Sequence, residues 1–174
     1  MSRSKTVVVG ERGFWALDDA FDVWFAYLVE QIDLEAGDDP WLASLAEPWR
    51  VAAAVNDYGA DAGQPTPEQA RRLLAIAATA RQRAVDTGDI PVERLREWLI
   101  LDDLAVSQGF SRTGDRVEVA RVLEVADGFM ALLDGSLPPD PATGAWFLGT
   151  GHPWSVMKMH PEALVLPRFP RDRL

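Results

Sequence analysis

Asp18, Asp19 and Asp22 stand in the order Asp-Asp-Ala-Phe-Asp. Carboxylates one helical turn apart can share a hard cation through their oxygens. The two histidines, His152 and His160, are the other candidates for metal or proton chemistry. Their spacing is not that of a helical metal pair, and there is no cysteine to complete a zinc site. His152 lies in the loop from Gly149 to Trp154, Gly-Thr-Gly-His-Pro-Trp. Its glycines allow a sharp bend or close approach to a ligand, and its imidazole could act as a base or hold an anion. A phosphate cradle also needs a following helix N-terminus, which Pro153 and the strand-like residues 155–159 oppose. The expectation is a structural turn, with a binding loop as the alternative, lined by Trp146, His152, Trp154 and Arg112.

The Asp-Asp-x-x-Asp string resembles the magnesium–diphosphate motif of isoprenoid synthases. That resemblance implies a second metal motif on a facing helix, and neither Asp102-Asp103 nor Glu93 with Glu97 supplies the pattern. The same four acids invite comparison with helical nucleotide pyrophosphohydrolases, but the cluster spacing of those enzymes is absent. Arg94 and Arg96 intersperse the acids, which reads as surface pairing. No Gly-x-Ser-x-Gly elbow, phosphate-binding P-loop or dinucleotide fingerprint occurs. The absence of cysteine excludes disulfides, iron–sulfur ligation and thiol catalysis. The sequence therefore assigns no catalytic residue, metal or cofactor, and the expectation is that the protein is not an enzyme.

Charge points in another direction. The net charge is −10, and residues 1–65 hold 12 acidic against 4 basic residues, while residues 66–121 hold 9 of each. An acidic chain is repelled by nucleic acid and by anionic membrane, and is attracted to basic proteins. The arginines of residues 67–85 (Arg71, Arg72, Arg81 and Arg83) are scattered and balanced by nearby acids, which makes a poor nucleic-acid patch. Seven tryptophans are many for 174 residues. Trp24 and Trp98 fit core faces, whereas Trp15, Trp41 and Trp154 lie near acidic or loop positions. Exposed aromatics beside carboxylates suit an interface with a basic partner.

These residues need elements to position them. Phe14, Leu17, Phe21, Trp24, Leu28 and Ile32 recur at three-and-four spacing, which predicts a helix over residues 14–35. Asp18, Asp19, Asp22, Glu30 and Asp33 fall on a separate arc of it. Further helices are predicted over residues 40–56, 67–85, 91–104 and 122–134. Pro48 would break or kink the second unless a new helix starts there. Thr66 and Gln69 form a capping box for the third, Asp89 is a candidate cap for the fourth, and Gly135 ends the last. Residues 110–122 fit either a hairpin around Thr113-Gly114-Asp115 or the start of the last helix. Short strands are expected at residues 145–148, 155–159 and 164–166, the first two pairing across the His152 loop.

The reading is a single domain over residues 1–174, predominantly α-helical (α+β), with four to five packed helices and a small antiparallel β element near the C-terminus. The N-terminus lacks a signal-peptide pattern and no segment has the length and apolarity to span a bilayer, so a cytoplasmic location is expected. Lysine-poor, arginine-rich usage suits a high-GC bacterial genome. The expected function is to bind and neutralise or regulate a basic protein, as a bacterial immunity protein or antitoxin does. The expected surface is Trp15, Asp18, Asp19, Asp22, Asp38, Asp39 and Trp41. The alternative is a small-molecule-binding protein or enzyme with its pocket at the Gly149–Trp154 loop.

Overall fold

A computed structural model describes residues 4–55, 59–106, 115–136 and 138–147. The chain opens with a β-hairpin, β1 (Ser4–Val9) and β2 (Arg12–Leu17), paired antiparallel from Ser4 with Leu17 to Val9 with Arg12. Gly10, at φ +62°, occupies the first position of the two-residue loop, where a tight hairpin turn calls for positive φ. Two further short strands complete a four-stranded sheet. β3 (Ala60–Asp61) joins β1 in parallel, and β8 (Trp146–Phe147) joins β2 antiparallel, giving the order β3-β1-β2-β8.

The helices pack around α1 (Asp18–Glu35), which contacts α2 (Pro40–Ala54), α3 (Pro67–Thr87) and α5 (Val119–Asp134). All side chains from Ala20 to Val29 are buried, so α1 is a central helix rather than an amphipathic surface one. Phe129 of α5 is the hub of the core. Its ring lies 5.8 Å from Phe25, 5.8 Å from Trp49 and 6.3 Å from Trp24, which ties three helices together. Ala77, Ala80 and Ala84 of α3 are buried, and their small side chains permit close helix packing.

Several sequence expectations are corrected here. The β element is not confined to the C-terminal region: its two longest strands are N-terminal. Phe14 and Leu17 fit a helical period, yet they belong to β2, because β2 pairs with β1 on one side, the Leu17 N–H donates to the Ala145 carbonyl on the other, and Phe14 is buried against Trp146. α2 runs through Pro48, which lies with Ser44 on the exposed face, so the helix hydrogen bond that proline cannot donate is lost on the solvent side rather than in the core. The expected helix at 91–104 is the single turn and a half α4 (Val92–Glu97). A hairpin follows, β5 (Leu99–Leu101) and β6 (Leu104–Ala105), turned by Asp102 at φ +48°. Asp89 does not cap α4. Its carboxylate accepts from the Val119 N–H at 2.9 Å and so caps α5, a partner thirty residues away. α5 begins at Val119, three residues before the expected start, and is preceded by β7 (Arg116–Val117), which pairs with β4 (Ile90–Pro91).

The Thr66–Gln69 capping box forms on both arms, and Gly135 ends α5 in the left-handed conformation. The tip of the expected 110–122 hairpin and the strands at 155–159 and 164–166 lie outside the described residues. Among the described residues the fold is mixed α+β with five helices, and no helix is long and apolar enough to cross a membrane.

Candidate functional site

The acidic arc of α1 does not form an open face, because other elements bring a cation to each of its members except Asp18. Asp22 is buried, and its carboxylate is bonded to the ammonium of Lys5 from β1. Asp19 takes a bidentate pair from Arg121 of α5. Glu30 pairs with Arg83 of α3 at 2.8 Å, and Asp33 with Arg50 of α2. The expectation that Asp22 faces a partner is thereby corrected: a side chain sealed in the core touches no second protein. Nor do the three aspartates form a cation site, since Lys5 and Arg121 occupy two of their carboxylates. Among the described residues no three histidine, aspartate or glutamate side chains group as a metal would require.

Asp18 is half-buried at the N-terminus of α1. Burial, reinforced by the charge of Asp19, pushes its carboxyl above the usual 3.8, against the opposing influence of the Asp19 backbone N–H and of Lys5. A carboxyl with a raised folded-state value binds more protons folded than unfolded. Stability therefore falls as pH rises from the unfolded value of 3.8 through the raised folded one. Asp18→Asn keeps the oxygen that accepts from the Asp19 N–H and removes the charge. We expect it to raise the melting temperature at pH 7, and to leave it unchanged once the pH is low enough to protonate Asp18. Equal melting temperatures at both pH values would refute this account.

The remaining expected surface residues separate along α1, whose 18 residues span about 27 Å. Trp15, on β2, Asp18 and Asp19 stand at its N-terminal end. Asp38, Asp39 and Trp41 stand beyond its C-terminal end. Asp39 caps α2 through the Trp41 and Leu42 N–H groups and pairs with Arg72 at 2.6 Å, so its charge is engaged. Trp41 is half-buried against the core. Asp38 is exposed and has no ion pair among the described residues.

The structure exposes a second acidic place that periodicity concealed. The β5–β6 hairpin packs on α2 and carries Leu99, 58 % exposed, with Asp102 and Asp103 at its turn. Neither aspartate has an ion pair or hydrogen bond among the described residues. Beside the hairpin, a cleft of about 400 Å³ opens between α1, α3 and α4. Trp98 forms one edge, with its indole N–H donated to Glu30 and its ring edge-on to Tyr27 at 4.8 Å. Arg83 lies over the Tyr27 ring, 5.7 Å from its centre. The reading of Trp98 as core missed this role. The available signal was a large aromatic one residue after an acid-and-arginine helix end, which does not reveal which helix it will meet.

Of the residues assigned to a possible C-terminal pocket, Arg112, His152 and Trp154 lie outside the described residues. Trp146 is buried, its ring centre 5.2 Å from that of Phe14. It therefore helps close the sheet onto the core rather than offering a face to a ligand. No protein-family model matches this chain, and neither a curated protein nor a solved structure does.

Proposed function

We propose that this protein is a binding module for a basic protein partner, not an enzyme. A concrete form of the proposal is a bacterial immunity protein or antitoxin that neutralises a cationic toxin such as a nuclease, in the cytoplasm. The observation that supports it is how the charges are distributed. Lys5 and most of the described arginines are engaged in internal pairs, whereas Asp38, Asp102 and Asp103 are left to solvent. Two of the exposed large apolar side chains stand beside these acids: Leu99 on the hairpin, and Leu34, 74 % exposed, at the end of α1. Both places rest on α2. Apolar contact ringed by uncompensated carboxylates suits a cationic protein surface, for which charge raises the association rate and apolar contact slows release.

The test is retention of host proteins on the immobilised full chain at low and moderate salt, repeated with Asp38→Asn/Asp102→Asn/Asp103→Asn. Asparagine tolerates the left-handed backbone at position 102, so the triple variant keeps the hairpin. The expected result is a basic protein held at low salt and weakened at moderate salt. The variant should bind it on the order of tenfold more weakly. A variant that retains the same protein equally well would show that the surface is elsewhere, and an empty column at both salts would oppose the binding-module reading.

A further inference from the structure

The cleft between α1, α3 and α4 has polar groups that partner binding does not use. Its volume, about 400 Å³, lies in the range of small-ligand sites. One wall is already satisfied: the carboxylate of Glu30 accepts from both Trp98 and Arg83, and Arg83 also donates to Gln31 at 3.2 Å. Three lining groups are not. Tyr27 is only 5 % exposed, lines the cleft, and its hydroxyl has no hydrogen-bond partner among the described residues. The hydroxyl is not sealed in the core, so it is free to accept or donate to a molecule in the cleft. Arg94 and Glu97 also line the cleft, three residues apart on α4 and neighbours on its surface. They form no ion pair with each other or with any other described residue.

The cleft thus offers one open cation, one open anion and one open hydroxyl, beside two aromatic rings. A purely anionic ligand would meet Glu30 and Glu97, and a purely cationic one Arg83 and Arg94. We propose that the cleft binds a small zwitterion of the α-amino acid class. The ligand carboxylate lies on Arg94 and accepts from the Tyr27 hydroxyl, and its ammonium donates to Glu97. This goes beyond the partner-binding proposal and does not depend on it.

The experiment uses the full chain labelled with ¹⁵N and follows the Trp98 indole N–H signal, identified by its loss in Trp98→Phe. The probes are the common free L-amino acids at millimolar concentration, then the amide and the N-acetyl derivative of the tightest. At least one amino acid is expected to shift the signal saturably. Blocking either its carboxylate or its ammonium should weaken binding about tenfold or more, because each removes a charge-assisted hydrogen bond. Tyr27→Phe should weaken it roughly two- to tenfold, and Arg94→Gln should abolish it. Arg94 is exposed and Tyr27→Phe retains the ring, so both variants keep the fold. No shift with any amino acid would overturn the proposal. So would undiminished binding of either blocked derivative, or by either variant.

Discussion

Replacing Lys5 by methionine is expected to destabilise the fold by about 3–5 kcal/mol, the penalty typical of stranding one member of a buried ion pair. Lys5 is 2 % exposed. Its ammonium donates to Asp22 of α1 and to the carbonyls of Ala52 and Val55, the latter at 3.0 Å, and lies 5.2 Å from the centre of the Phe21 ring. One side chain therefore joins β1 to α1 and satisfies carbonyls at the C-terminal end of α2, where a cation also opposes the helix dipole. Methionine keeps the apolar stem and removes the charge, leaving Asp22 in the core without its cation. Urea unfolding followed by tryptophan fluorescence would read the loss as a lower midpoint at unchanged slope. The double variant Lys5→Met/Asp22→Leu should recover part of it, because the uncompensated carboxylate goes too. Recovery stays incomplete because the α2 carbonyls still lack their donor. A single-variant cost below about 1 kcal/mol, the level of an exposed pair, would show that the ion pair does not hold the hairpin to the helices.

Phe129→Ala should cost a similar amount, about 3–5 kcal/mol, as large-to-small changes of buried aromatics do. Phe129 is fully buried and its ring meets Trp24 and Phe25 of α1 and Trp49 of α2. Truncation removes transfer energy and leaves a cavity walled by large rings that cannot easily collapse into it. Phe129→Leu, which fills most of the space, should cost roughly 1–2 kcal/mol. Similar losses for alanine and leucine would mean that ring geometry rather than filled volume decides the site. Lys5→Met and Phe129→Ala are not expected to add. Lys5 touches Phe21, Phe21 stacks on Phe25 at 4.3 Å, and Phe25 touches Phe129, so the two sites share neighbours.

Local signals with local partners were legible in the sequence. The Thr66–Gln69 box and Gly135 after the last apolar turn each act within a few residues, and each does what its chemistry dictates. The apolar stripe from Phe21 to Ile32 marked a helix correctly for the same reason. The sequence also determined the acidic excess and the absence of thiol chemistry.

Tertiary structure decided the rest. Periodicity could not separate strand from helix at Phe14–Leu17, because the six-residue hairpin strands are stabilised by pairing with each other, not by their own pattern. It could not distinguish an acidic face from a set of sockets. Asp22, Asp19, Glu30 and Asp33 acquire their cations from Lys5, Arg121, Arg83 and Arg50, partners 17 to 102 residues away. The same long-range pairing removes charge from α1 and leaves it on the β5–β6 hairpin and the corner between α1 and α2. Composition determined how much negative charge this protein carries. Which carboxylates remain open to solvent was settled only when the helices brought their arginines to the others, since pairing depends on distance in space and not on spacing along the chain.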